Sequence, residues 1–196
     1  AWVCSRNWIS DAQSRPFVAE PGSRMLYSTW SFHILGAVLS EVSGQSLLRL
    51  ARTRIGDPLG FEIPAWTRDP QGRYMGGNEM ALTLEAMVRF GEMYRQVGQF
   101  GGAQVLSPAW VARSFSPRTR SLFSGLDYGY GWFLGESGGI GYALARGYGG
   151  QIICVAPQLE LTVAITSAPT LPARSGGYIG DLMRLIEREI LPLAKT

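Results

Sequence analysis

Apolar residues recur along the chain at two spacings, and the two are segregated. In the stretch 31–42, Ile34, Leu35, Val38, Leu39 and Val42 fall on one face at helical spacing, and Ser43-Gly44 supplies a stop. A second amphipathic segment over about 45–55 places Leu47, Leu48, Ala51 and Ile55 on its inward side, before a Pro58-Leu59-Gly60 turn. Thr83 reads as the N-cap of a helix to about Val97, with Leu84, Met87, Val88 and Tyr94 facing the core. Ser107-Pro108 starts another helix, which ends before Ser116-Pro117.

The texture changes after about residue 126. Tyr128 to Leu134 is aromatic and alternating, and strand-like segments follow at about 140–146, 151–156 and 161–167. Their short connections imply antiparallel neighbours. A closing helix over about 176–190 carries Ile179, Leu182, Met183, Ile186 and Ile190 on one stripe, suited to covering a sheet face. Residues 1–24 read as a short helix and a loop, and 61–82 as an irregular connection of a length that is often functional. The expected organisation is a mostly helical part, 1–125, followed by an antiparallel sheet with a C-terminal helix, 126–196.

Composition narrows the options. The chain has 196 residues, is 46% hydrophobic and 17% charged, and has a formal net charge of +3. It can bury a sizeable core, so intrinsic disorder does not describe it. Its arginines form no stripe, which argues against a nucleic-acid partner. No apolar run reaches the length of a membrane span, and no basic–apolar–small leader occurs at the start. Zinc and haem signatures are absent, so no metal or cofactor is expected. Cys154 sits in an apolar run as a small hydrophobe, and neither it nor Cys4 fixes a redox compartment. Periplasmic, secreted and cytoplasmic locations stay open. Arginine outnumbers lysine 17 to one, a bias that fits a GC-rich bacterial genome.

Three places invite chemistry. Gly135-Glu136-Ser137-Gly138-Gly139 matches G-x-S-x-G, but a strand-like segment follows where a nucleophile elbow needs a helix. The single histidine, His33, lies upstream within an amphipathic helix, which favours a structural histidine and a hairpin tip at Ser137. A hydrolase using Ser137 is the weakest alternative. Two other segments say more together. Pro21 to Thr29 delivers Tyr27 just before a helix, and Ala145-Arg146-Gly147-Tyr148-Gly149-Gly150-Gln151 is a glycine-dense strand edge. Glycines there let a ligand approach the backbone and its N–H groups. On composition alone Tyr27 is a packed aromatic and the glycines a bulge or hairpin.

These segments resemble the serine hydrolases of the class C β-lactamase type, which include β-lactamases, D,D-peptidases, family VIII esterases and 6-aminohexanoate-dimer hydrolases. The matching stretches are PGSRMLYST, HILGAVLSEVSGQSL, DPLGF, WTRDPQGRYMGGNEMALTLEAMVRFG, VLSPAWV, YGYGWF, ARGYGGQIICVAP and LTVAITSAP, in family order. The resemblance implies an α+β fold of the β-lactamase/transpeptidase kind, with a helical subdomain, antiparallel strands and a C-terminal helix. It also implies acyl-enzyme chemistry by a Ser-x-x-Lys nucleophile, a Tyr of a Y-x-N motif and a K-T-G-like strand edge. Carried over, Tyr27 is the catalytic tyrosine, and Ala145-Arg146-Gly147 takes the K-T-G place. The N–H of Tyr148 becomes the oxyanion donor, beside Gly149. Tyr130 and Trp132 become pocket walls.

The sequence departs from the family pattern in three ways. Thr29 stands where Y-x-N has Asn, which keeps a hydrogen-bonding group on a shorter side chain. Ala145 stands where K-T-G has Lys, which argues for esters or uncharged amides over penicillin-like substrates, with Arg146 a replacement charge. No Ser-x-x-Lys occurs in these residues, because the one lysine is Lys195, and only 26 residues precede Tyr27. The chain is therefore expected to be the C-terminal part of such an enzyme, without the first strands and the nucleophile helix. Alone it should be inactive, and it should self-associate or need a complementing N-terminal chain. The competing expectation is a non-catalytic, degenerate homologue that binds a ligand in the old cleft.

Overall fold

The computed structural model describes residues 4–168 and 178–195. They form two compact units that divide between Leu82 and Thr83.

The first unit is helical. Asn7 caps α1 (Trp8–Gln13) by accepting the Ser10 N–H at 3.1 Å. Ser28 caps α2 (Thr29–Ser43), and Gly44 at φ 63° stops it. Ser46 caps α3 (Leu47–Ala51), whose helix continues through a wide turn, Arg52–Gly56, into α4 (Asp57–Leu59). Gly60 at φ 69° ends it at the turn expected there.

The buried face of α2 is a correction to the apolar pattern. His33, Gly36 and Ala37 face inward. Leu35, Val38 and Leu39 are about half exposed and Val42 is 83% exposed. The cause is close approach. A Cβ on Gly36 would lie 2.7 Å from Leu47 Cδ1 and 3.1 Å from Gly76 Cα, so only the small-residue face fits against the neighbouring chain. Phe32, Leu35, Leu39, Leu50, Trp66 and Met75 instead line part of an open apolar groove of about 400 Å³.

The second unit is an α/β sandwich. Thr83 caps α5 (Leu84–Arg95), and a two-stranded hairpin of β1 (Gln99–Phe100) and β2 (Ala103–Gln104) follows. Next come α6 (Pro108–Ser114), β3 (Thr119–Arg120), β4 (Asp127–Tyr128), β5 (Phe133–Ser137), β6 (Ile140–Gly147), β7 (Gln151–Ala156) and β8 (Leu161–Ile165). Strands β3 to β8 form one antiparallel sheet in chain order. The chain closes with α7 (Tyr178–Leu185), a wide turn Ile186–Ile190, and α8 (Leu191–Leu193). Residues 176 and 177, where that helix was expected to begin, lie outside the described residues.

The strand alternation assigns the two faces. Gly91 of α5 sits against Ile153, Val155 and Thr162, where a Cβ would meet Ile153 Cγ2 and Thr162 Cγ2 at 2.7 Å. Tyr142, Leu144, Ile152 and Cys154 therefore point to the opposite face. There the Tyr142 hydroxyl donates to the Glu187 carboxylate, so the C-terminal helix covers that face. Leu144, Ile152, Val155 and Ile186 are fully buried, each worth roughly 1.5–3 kcal/mol of transfer free energy.

The inward stripe of α5 is a second correction. Ala86, Met87, Gly91, Met93 and Tyr94 are buried, while Leu84 and Val88 are exposed. At about 100° per residue Leu84 and Val88 lie within about 60° of Gly91, so they flank the buried arc of Ala86, Met87, Gly91, Met93 and Tyr94 rather than filling it. The aromatic run over 128–134 is also not one strand. Gly131 at φ 85° turns the chain between β4 and β5. The sheet of β3 to β8 begins before the texture change near residue 126, because β3 (Thr119–Arg120) is its first strand. The compact division lies earlier because α5 packs on β7 and β8.

Candidate active site

In the first unit, Gly22 at φ 77° and the bond from the Ser23 N–H to the Glu20 carbonyl make the turn that precedes Tyr27. Met25 is buried, and the extended chain then leads to the Ser28 cap. Tyr27 is 51% exposed, with its ring 6.0 Å from that of Phe32. Thr29 opens α2. Gly77 lies directly on it, where a Cβ would sit 2.6 Å from Thr29 Cγ2 and 2.7 Å from its carbonyl oxygen. Gly76 lies on the next turn, 2.4 Å from the Phe32 carbonyl oxygen by the same measure.

Below this sits a buried polar pair that the sequence reading did not join. The Gly76 N–H donates to His33 Nδ1 at 3.3 Å, so Nε2 carries the hydrogen and donates to Asp69 Oδ2 at 3.2 Å. Asp69 Oδ1 accepts the N–H groups of Gln71 at 2.9 Å and Arg73 at 2.8 Å. The two residues are 36 positions apart. The Asp69-Pro70-Gln71-Gly72 turn and a lone histidine in an apolar helix were the only local signals. His33 is structural, as expected. It ties α2 to the connection 61–82 and holds the glycines against the helix start that carries Tyr27 and Thr29.

In the second unit, β5 pairs with β6 only from Ser137↔Ile140 to Phe133↔Leu144. β7 pairs with β6 from Ala143↔Val155 to Gly147↔Gln151. Ala145, Arg146 and Gly147 are thus laddered on the β7 side alone among the described strands. A strand held by its neighbour keeps its backbone N–H groups in fixed positions, which is what anion stabilisation needs. The Arg146 guanidinium lies over the Phe133 ring at 4.9 Å. Tyr148 is 70% exposed in the turn after β6, followed by Gly149 at φ 75° and Gly150 at φ 85°.

The two aromatic residues before β5 are treated differently. Tyr130 is half exposed, stacked on Trp110 at 5.3 Å, with the Arg118 guanidinium 5.4 Å from its centroid. Trp132 is 3% exposed, inside a cluster with Tyr94 at 4.7 Å and Phe115 at 5.3 Å. Tyr130 is accessible to a ligand, whereas Trp132 is buried and cannot contact one from its place in the core. Trp110 was not singled out in the sequence, because only the packing of α6 brings it to Tyr130.

Ser137 ends β5 at a Gly138-Gly139 turn with φ 59° and 80°, and a strand follows it. Its hydroxyl donates to the Glu187 carbonyl at 3.2 Å, a structural tie to the C-terminal helix. Tyr142 has its hydroxyl pKa raised by burial, reinforced by the hydrogen bond to Glu187. Burial also pushes the Cys154 thiol up to about 12, which leaves it an inert core residue. Among the described residues, no helix is long and apolar enough to cross a membrane.

The sequence profile of the Beta-lactamase family matches residues 5–188. A protein from Bacillus anthracis named as a 6-aminohexanoate-dimer hydrolase is similar in structure, with TM-score 0.77 and 18% identity over 95% of this chain. A penicillin-binding protein homologue from Caulobacter crescentus gives TM-score 0.67 and 15% identity over 85% of this chain. A beta-lactamase from Mycobacterium bovis gives 0.73 and 18% over 91%. The chain spans 48% of the first of these, 62% of the second and 68% of the third. Curated proteins give no significant match.

Proposed function

The chain belongs to the beta-lactamase family of serine hydrolases, and from that premise we propose that it supplies the tyrosine base and the oxyanion strand of an acyl-enzyme hydrolase acting on an ester or an uncharged amide. The observation that carries the reading is the stretch Ala145–Gly147, which pairs with β7, runs past the end of the β5 pairing and leads into the Tyr148–Gly150 turn.

In this mechanism the serine and lysine come from polypeptide outside these residues. The serine oxygen attacks the substrate carbonyl while its proton passes to the Tyr27 oxygen, which hands its own proton to the neutral amine of that lysine. Thr29 offers a hydroxyl at the base of the same helix. Negative charge builds on the carbonyl oxygen, and the Tyr148 N–H, next to Gly147 and Gly149, stabilises it. One such donor is worth about 3–4 kcal/mol in the transition state. Collapse expels the leaving group, which takes up the proton, and leaves an acyl-serine that water hydrolyses. Tyr130 and Arg146 contact the substrate, and Trp132 fixes the wall behind Tyr130.

Ala145 in place of the family's lysine removes a carboxylate-binding charge. This supports esters and neutral amides over penicillin-like substrates. A panel of 4-nitrophenyl butyrate, the 6-aminohexanoate dimer named for the Bacillus anthracis protein, and a chromogenic cephalosporin tests the reading. The complete natural polypeptide is expected to hydrolyse the butyrate best. Tyr27→Phe should lower kcat by at least about 100-fold with little change in melting temperature, since the ring is half exposed. The 196 residues alone are expected to be inactive. Hydrolysis that Tyr27→Phe leaves intact would refute the assignment. A natural polypeptide without a Ser-x-x-Lys motif would favour a non-catalytic homologue that binds a ligand instead.

A further inference from the structure

The turn that carries Tyr148 is held by a network outside the residues assigned so far. Gln151, the first residue of β7, makes two bonds to the backbone of Ser167. Its Nε2 donates to the Ser167 carbonyl at 2.7 Å, and its Oε1 accepts the Ser167 N–H at 3.2 Å. The Ser167 hydroxyl donates to the Gly150 carbonyl at 3.0 Å. The Tyr178 hydroxyl, from the first residue of α7, donates to Ser167 Oγ at 2.6 Å. One serine hydroxyl thus joins the first turn of α7 to the carbonyl of the glycine turn.

Sterics lock the same place. Gly150 has φ 85°, and a Cβ there would meet Tyr178 Cε1 at 2.6 Å and both Leu182 Cδ1 and Ser167 Oγ at 3.0 Å. The turn has no room to relax towards α7 and no side chain to shift. Its position is therefore set by where Tyr178 and Leu182 of α7 lie.

We propose that Tyr178, Ser167 and Gln151 are positioning residues that fix the Tyr148–Gly150 turn, and with it the oxyanion donor, by clamping it to the start of α7. This rests on the acyl-enzyme reading above. The physical reason is distance. A preorganised donor must sit about 3 Å from a charge that exists only in the transition state, and a misplacement near 1 Å costs rate without touching substrate affinity.

Two measurements test it. In the complete polypeptide with 4-nitrophenyl butyrate, Tyr178→Phe and Ser167→Ala are each expected to lower kcat about tenfold while KM stays within about twofold. In the 196-residue chain, amide hydrogen exchange at position 167, whose N–H is bonded to Gln151 Oε1, should quicken about tenfold in both variants, while β5 exchanges as in the unsubstituted protein. An unchanged kcat in both variants of an otherwise active enzyme overturns the positioning role and leaves the reaction standing. A general rise in exchange across β5 to β8 makes the network ordinary scaffolding and also overturns it. If the unsubstituted enzyme lacks Tyr27-dependent hydrolysis, the acyl-enzyme reading falls, and this inference falls with it.

Discussion

Glu92 shows how much one side chain can tie together. Its carboxylate accepts from Arg95 and Gln96 on its own helix and from the Thr162 hydroxyl of β8 at 3.1 Å. The hydrogen bond from Arg95 leads in drawing its pKa from 4.5 down to about 2. A depressed carboxylate contributes stability that is fully present above its unfolded pKa and is lost as pH falls through the folded one. The second unit should therefore weaken between about pH 4.5 and pH 2, and Glu92→Gln should flatten that limb in acid titrations followed by circular dichroism. None of this is legible in the sequence, where Glu92 is one exposed-looking acid among several. Thr162 lies 70 positions away, and only the packing of α5 on β8 joins the two. The place of Tyr27 just before a helix was legible because its signal is local, a turn followed by a helical pattern, whereas residue type alone read it as a packed aromatic and it is half exposed.

At the level of elements, caps and stops were readable and buried faces were not. Thr83 and Ser107, the caps read from the sequence, each accept a backbone N–H three residues on, and Ser28 and Ser46, not singled out there, do the same. The faces of α2 and α5 were misjudged for a shared reason. Apolar periodicity weighs side-chain size: α2 approaches its neighbour through Gly36, to one side of the apolar stripe, and on α5 Gly91 takes the closest place while Leu84 and Val88 are left at its flank. Gly91→Ala puts two effects in opposition. Alanine gains about 1 kcal/mol of helix propensity, but its methyl would lie 2.7 Å from two methyl groups of the sheet, and overpacking costs about 1–3 kcal/mol. The second is expected to win by a small margin, seen as a lower urea midpoint with an unchanged m-value.

For the whole molecule, the exposed stripe Leu35, Val38, Leu39 and Val42 beside the apolar groove is the dominant surface fact of the first unit. Contiguous apolar surface of this kind drives association in water. In the second unit β8 is the last strand of the described sheet, and an edge strand is a pairing template wherever nothing covers it. The 196 residues are expected to self-associate with concentration in light-scattering chromatography, and Leu39→Lys with Val42→Lys should shift the distribution towards monomer. A monodisperse, unsubstituted monomer at about 100 μM would contradict this.

The contact of Gly76 and Gly77 with the first turn of α2 carries a lesson for tracing relatives. A homologue can keep the tyrosine and every motif letter around it yet exchange either of these glycines. A motif search would count it as competent. Its backbone could no longer come so near the Phe32 and Thr29 counterparts, and the tyrosine would stand on displaced ground. Such silent paralogues should be sought at the two glycines rather than at the tyrosine.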